Sequence, residues 1–485
     1  MVGIGNSDRD TLLDETAEFH YLDDGYRGLA ILCGPAPLRL ISAGRNGWRS
    51  THLNFNVVNM FLILGAYFDL SQRKTPCREK SMFREQPVKP IARKSVELFA
   101  GAGGLGIGLA EAGFIPQMVV EYDRWCCDTL RYNHRIFSEN NKAGERAWRV
   151  VEGDVRDVGF KEYEGKLELI SGGPPCQPFS LGGRHRAYDD ARDMFPQAVR
   201  ALREARPRAF IFENVKGLTR ASFLPYFEYI KLQMEHPEMV ARDGEPWVDH
   251  LRRLEQHHTS TKRPDLHYQV VTKLLNSANY GVPQRRERVL FVGFRDDVDA
   301  RWSLCSGDFT QEALVWDQLF GEYWDRHRVA KSARVLEGRA LQMSKRLSKE
   351  EKPAGKPWRT TRDAIGDLPD PEQSHCSNSL IDHRFQPNAR TYPGHTGSYL
   401  DEPSKTLKAG VHGVPGGENM LRRADGSVRY FTVREGARIQ TFPDGYKFHG
   451  AWTECMRQLG NAVPAKLARV VGESVASHLD KSEAT

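Results

Sequence analysis

Cys176 stands between prolines in GGPPCQPFS (172–180), directly after the apolar run LELIS (167–171). A core cysteine needs no such rigid collar, whereas a nucleophile that must meet a substrate atom in one geometry does. Two further groups hold comparable places. Glu213 lies at the end of the apolar run FIFENV, and Gln284, Arg286 and Arg288 stand in GVPQRRER, just ahead of VLFVGF. Thiol, carboxyl and guanidinium together suit covalent catalysis. A neighbouring arginine lowers a thiol pKa, and an acid and a guanidinium can hold the polar atoms of a ring under attack. Taken singly, each has a plain structural reading: a packing cysteine, a capping glutamate, a solvated charge run.

A second constellation lies upstream. FAGAGGLGIG (99–108) contains Gly101-x-Gly103-x-x-Gly106, and Glu121 follows twenty residues after Gly101. Glycines let the backbone approach a ligand, and the acid can accept hydrogen bonds from ribose hydroxyls. By itself this pattern serves a nicotinamide dinucleotide as well as any other adenosine ligand. Phe99 before the loop and Asp154 in EGDV shift the weight. An aromatic face and a second acid suit a positively charged sulfonium cofactor better than a pyrophosphate, although Phe99 could also be core and Asp154 a helix N-cap.

These residues need elements to carry them. SVELFA reads as a strand, the glycine turn leads into a helix through LAEAGF, and PQMVVEYD is a second strand. CCDTLRYNH is helical, then RVVEGDV, LELISGG and PRAFIFENV supply further strands, with YQVVTKLLNSANYGV leading to RERVLFVGF. Strands alternating with helices predict an α/β, doubly wound, mostly parallel sheet, which gathers catalytic groups at the carboxyl ends of its strands. After Phe294 the pattern gives way to scattered Trp, Arg, His and Pro, predicting a smaller irregular domain. RQLGNAVPAKLARVVGESVASHL then reads as an amphipathic helix with an NAVP entry.

The chain has 485 residues, 40% hydrophobic and 27% charged, with a net charge of +6. Those values fit a globular protein with more than one domain and allow a nucleic-acid partner without demanding one. Eight cysteines include no CxxC pair and no tight Cys/His cluster at zinc spacing, so a reduced, cytoplasmic protein is expected, with no metal. The most apolar segment, NVVNMFLILGAYF (56–68), is too short to span a bilayer, and no membrane association is expected. The expected divisions are 1–92, 93–297, 298–450 and 451–485. Residues 1–92 form an extension that is either poorly ordered or upstream of the true start, Met82 opening a natural short lead into the first strand.

Together, Cys176, Glu213 and the arginines fit one reaction. Cytosine carbon 5 is too weak a nucleophile to attack a methyl sulfonium. A thiolate adding to carbon 6 makes it an enamine carbon, while a carboxyl at nitrogen 3 and an arginine at the carbonyl oxygen stabilise the adduct. At this point the chain resembles a DNA (cytosine-5)-methyltransferase of the bacterial restriction–modification type, over about residues 95–475. FAGAGGLG, EYD, GDV, GGPPCQPFS, ENV, QRRER and RQLGNAVP resemble that family's motifs in the family's order.

The resemblance implies a Rossmann-like S-adenosylmethionine-dependent methyltransferase domain over 93–297, a target-recognition domain over 298–450, and a C-terminal segment returning to the catalytic domain. It implies Cys176 as nucleophile, Glu213 at the ring nitrogen and amine, and Arg288, helped by Arg286, at the carbonyl oxygen. S-adenosylmethionine would meet Phe99, Gly101, Gly104, Glu121, Tyr122, Asp154, Pro175, Asn461 and Val463. Double-stranded DNA would meet Gln177, Ser180 and Gln284, with the cytosine flipped out of the duplex and SLGGRHRAYDDARDMF closing over it, hinged at Gly182-Gly183. The implied enzyme is a monomer that protects a short site from a cognate restriction endonuclease without forming a stable complex with it.

Three alternatives compete. A dehydrogenase leaves PCQ, ENV and QRRER unused. The transfer-RNA branch of the same family carries a Cys-Phe-Thr tripeptide that is absent here. A catalytically dead DNA-binding regulator has no need of an intact Cys176, Glu213 and Arg288.

Overall fold

The computed structural model describes residues 93–140, 148–175, 193–260, 266–336, 338–347, 350–373, 380–391, 393, 395–410 and 419–483, together with four short strands among residues 18–52. The chain divides into two units, Met1–Met82 and Phe83–Thr485. In the first, β1 (Glu18–Tyr21), β2 (Leu29–Cys33), β3 (Arg39–Gly44) and β4 (Gly47–His52) pair antiparallel in chain order. The sequence reading placed no elements there. The apolar segment 56–68 lies outside the described residues.

The second unit is built on a seven-stranded sheet of β5 (Arg93–Leu98), β6 (Phe114–Glu121), β7 (Val150–Glu152), β8 (Leu169–Gly172), β9 (Ala209–Val215), β10 (Tyr268–Asn276) and β11 (Glu287–Arg295). Their order is β10-β11-β9-β8-β5-β6-β7. The chain runs outward from β5 through β6 and β7, then returns to lay β8 on the other side of β5. That reversal opens a crevice at the strands' carboxyl ends. The sheet is α/β and mostly parallel, as expected.

One strand runs the other way. β11 pairs antiparallel with both β9 and β10, because only a short turn separates it from β10 and a parallel crossover needs a dozen or more residues. Its first residues therefore lie at the edge where the parallel strands end. QRRER reaches the crevice for this reason.

Apolar runs without alternation mark strands covered on both faces. In β9, Phe210 and Phe212 enter one layer while Ala209 and Ile211 enter the other. The first layer holds α3 (Phe195–Ala205) and α4 (Leu224–Glu235), with Phe195, Leu202 and Ile230 in its core. The second holds α1 (Gly104–Glu111) and α12 (Ala465–Glu483), through Leu105, Leu109, Leu467 and Val471. α2 (Arg124–Asn140) follows β6, and α5 (Trp247–His258) follows α4.

Beyond β11, Trp324 and Trp358 of the scattered tryptophans prove to be core. They pack with Leu314 and Tyr323 around α6 (Gln311–Phe320) and the single turn α7 (Tyr323–Arg326), and α8 (Gly338–Leu347) packs on α6. A third cluster joins α9 (Thr361–Ile365), α10 (Val433–Ile439) and α11 (Trp452–Asn461) through Ile365, Ala437, Met456 and Leu459. The C-terminal stretch expected as one helix is two. RQLGN closes α11, Ala462 is extended, and α12 starts after Pro464, since proline disfavours helical backbone in the residue before it.

Among the described residues, no helix is long and apolar enough to cross a membrane.

Candidate active site

Register fixes the central pair. β11 sets Arg288 opposite Val215 and Leu290 opposite Glu213, so Arg288 and Glu213 meet at the end of β9. Arg288 Nε lies 2.6 Å from Glu213 Oε1, with both side chains almost buried. Burial holds the Arg288 guanidinium below the usual arginine range, and the Glu213 carboxylate counters that effect. The ion pair with Arg288 occupies Glu213 Oε1.

The stem of the Cys176 loop ends beside this pair. A Cβ on Gly173 would stand 3.3 Å from Glu213 Oε2, so glycine leaves the carboxylate its space. Asn214, the next residue of ENV, donates through Nδ2 to the Pro174 carbonyl at 3.0 Å. Met194 N–H donates to the Pro175 carbonyl at 3.2 Å, joining the two flanks of the loop. Cys176, Gln177, Ser180 and Gly182-Gly183 lie outside the described residues.

The neighbouring strand ends form the glycine-loop site. Phe99 adopts a left-handed backbone (φ 54°), which a non-glycine residue holds only when its surroundings impose it. Glu121 accepts from Gly101 N–H at 2.7 Å and from Asp123 N–H at 2.8 Å, bridging the glycine turn to the end of β6. Burial raises its pKa. Beyond it, Tyr122 is 76% exposed, with Trp125 also exposed.

Asp154 caps the turn Val155–Asp157, accepting from Arg156 N–H at 2.9 Å, and its carboxylate is lowered by hydrogen bonds from the Arg156 side chain. Its structural reading as an N-cap is therefore present in the fold. Exposed aromatics and carboxylates around a glycine turn fit an adenosine-bearing cation.

Gly104 is also required for packing. A Cβ there would lie 2.3 Å from the Val463 carbonyl, so Gly104 lets α1 pack against the returning segment Asn461–Pro464. Val463 is buried and Asn461 is exposed.

Two expectations for the QRRER turn are revised. Gln284, expected at DNA, is fully buried. Its Nε2 donates to Gln440 Oε1 at 2.9 Å, and its Oε1 accepts from Leu407 N–H at 2.9 Å, so its amide is occupied inside the protein. Arg286, expected beside Arg288 at the substrate carbonyl, sends Nη1 to the Leu407 carbonyl at 3.1 Å and Nη2 to the Gly460 carbonyl at 2.8 Å. Burial, then the charge of Arg288, pushes it well below the usual arginine range. Together with Gln440, which donates to the Leu459 and Ala462 carbonyls, these two residues tie SKTL, RIQ and NAVP to the start of β11.

Two supporting residues escaped the sequence reading. Glu97, a carboxyl within the apolar strand SVELF, accepts from Gly106 N–H at 3.1 Å beneath the glycine turn, and burial raises it to about 8. Tyr446 donates its hydroxyl to the Ala102 carbonyl at 2.7 Å. A lone acid in a buried strand could have been noticed. Nothing local distinguishes Tyr446 from other core tyrosines.

Comparison with known proteins gives the family. The family model for C-5 cytosine-specific DNA methylase matches residues 93–237 and 249–477. Type II methyltransferase M.PspPI of Psychrobacter sp. (strain TA137) is 30% identical over 400 residues, covering 81% of this chain and 82% of the relative. M.Eco47II of Escherichia coli is 32% identical over 395 residues (80% and 79%), and M.NgoMIV of Neisseria gonorrhoeae 31% over 387 (80% and 98%). The solved structure of the S. pombe Dnmt2 methyltransferase aligns over 80% of this chain and 99% of its own, at 16% identity and a TM-score of 0.44. The match begins at the first residue of β5 and ends within α12, so the strand ends that assemble Glu213, Arg288 and the glycine turn all fall inside it: the chain belongs to the C-5 cytosine-specific DNA methylase family and is a DNA cytosine-5 methyltransferase.

Proposed function

We propose that this methyltransferase moves a methyl group from S-adenosylmethionine to carbon 5 of a cytosine flipped out of a short, specific double-stranded DNA site, through a Cys176 adduct, and so protects that site from a cognate restriction endonuclease. The observation that carries the reading is the buried Glu213–Arg288 pair set against the stem of the Cys176 loop.

The Cys176 thiolate forms a bond to cytosine carbon 6, and the ring's electron density moves to carbon 5. The Glu213 carboxyl meets ring nitrogen 3 and shares a proton with it as the adduct forms, and its other oxygen accepts from the exocyclic amine. The Arg288 guanidinium faces the ring's carbonyl oxygen and keeps Glu213 in place. S-adenosylmethionine supplies the electrophilic methyl. Carbon 5 would take that methyl as the methyl–sulfonium bond breaks and S-adenosylhomocysteine leaves; a base would then remove the carbon 5 proton, and the carbon 6–sulfur bond would break to release the thiolate.

Asn214 acts as a positioning residue, since it holds the Pro174 carbonyl at the root of the loop. Phe99, Gly101, Glu121, Tyr122, Asp154 and Pro175 would surround the donor, with Asn461 and Val463 closing the pocket from the C-terminal segment. Residues 298–450 would read the target bases, in a monomeric enzyme acting in the cytoplasm.

The test is incubation with labelled S-adenosylmethionine and unmethylated genomic DNA, followed by sequencing for 5-methylcytosine, with Cys176→Ser as control. Methylation confined to one short motif and lost in the control is the expected result. Transfer to a transfer-RNA pool but not to DNA would overturn the proposal.

A further inference from the structure

At the sheet edge opposite the active site, four histidines meet. β10 runs with β9, so its amino end and the carboxyl end of the reversed β11 both lie on that far edge. His236 follows the last residue of α4, His257 and His258 end α5, and His267 precedes β10. One ring nitrogen each of His236, His258 and His267 lies within 4.8 Å of the others. In sequence these residues are 22 and 9 positions apart, a spacing that matches no zinc pattern.

We propose that His236, His258 and His267 bind a divalent transition metal of the zinc class, forming a structural clamp on the crossover from β9 to β10. His236 Nε2 is 3.0 Å from His258 Nδ1, close to the separation of two imidazole nitrogens that share a tetrahedral ion. His267 holds its Nδ1 2.8 Å from Asp296 Oδ1, the carboxylate–histidine pairing that orients an imidazole and leaves its Nε2 for a metal.

Groups of this kind are rarely left unpaired in a fold. His236 is 4% exposed, so its ring lies in the interior. Buried Glu235 Oε2 is unpartnered and lies 3.6 Å from His258 Nδ1, within reach as a fourth ligand after a small side-chain shift. A cation here would replace the His236–His258 hydrogen bond with bonds that join three elements.

The test uses the full-length protein, stripped with a chelator and titrated with ZnCl2 against a competing indicator, with melting temperature as a second readout. Wild type should bind a single zinc ion at this site and melt higher with it. Asp296→Asn should weaken zinc about 10–100-fold, as loss of an orienting carboxylate does. His258→Ala/His267→Ala should lose that site and its thermal shift, while metal-free methyl transfer stays at the wild-type rate because the far edge holds no catalytic group. Equal zinc affinity in wild type and the double variant, or no zinc-dependent rise in melting temperature, would overturn the proposal.

Discussion

Glu213 and Arg288 face each other across two antiparallel strands, Nε to Oε1 at 2.6 Å, at the one edge where the parallel strands also end. Replacing Arg288 leaves a buried carboxylate without its cation. Arg288→Ala should lower kcat/KM about 10²–10³-fold, the usual loss when one charge-stabilising donor is removed. Arg288→Lys should recover only part, because an ammonium lacks the planar guanidinium fork. Steady-state methylation of one duplex site measures both.

Asn214 tests positioning apart from chemistry. Its amide donates to the Pro174 carbonyl, two residues before Cys176. Asn214→Ala should reduce kcat by about 10²-fold, with KM for DNA little changed, as expected when a nucleophile is displaced by roughly 1 Å. A larger change in KM than in kcat would count against the assignment.

Gln284 distinguishes a strut from a DNA contact. Gln284→Ala orphans Gln440 Oε1 and the Leu407 N–H inside the protein. Stability should fall by about 1–3 kcal/mol, seen as a lower urea midpoint. Loss of DNA affinity with no change in that midpoint would restore the original expectation of a DNA contact.

Gly104 has no room for a side chain. The Cβ of alanine would lie 2.3 Å from the Val463 carbonyl, a backbone atom fixed by the truss around Arg286 and Gln440. Gly104→Ala should cost about 1–3 kcal/mol through overpacking and lower the melting temperature.

Glu97 makes stability depend on pH. Its pKa is about 8 in the fold against 4.5 ordinarily, so the native state keeps a proton that the unfolded chain releases. Its contribution is fully favourable below about pH 4.5 and is lost progressively as pH rises to about 8, where it levels off. The loss is on the order of a few kcal/mol. Urea midpoints measured between pH 5.5 and 8.5 should fall along this slope, and Glu97→Gln should flatten it.

Much of the enzyme is determined by sequence alone. Apolar runs of strand length, separated by helical stretches, specify a doubly wound sheet, and its strand ends specify where Glu121, Glu213 and the Cys176 loop must gather. Residue types then limit the chemistry, since thiol, acid and arginine at those ends suit few reactions.

Other features depend on pairing across the chain. The reversal of β11 leaves no mark in an apolar run, because strand direction is a property of partners, yet it alone delivers Arg288 to Glu213. QRRER looks like a solvated charge run, but Gln284 and Arg286 are interior because polar groups more than a hundred residues away find their hydrogen-bond partners there. Trp324 and Trp358 become a core only once α6 and α7 fold around them, and three histidines without a common spacing meet only where strand and helix ends converge. Local periodicity records what one element buries. Which distant group it is buried against is decided only when the chain closes on itself.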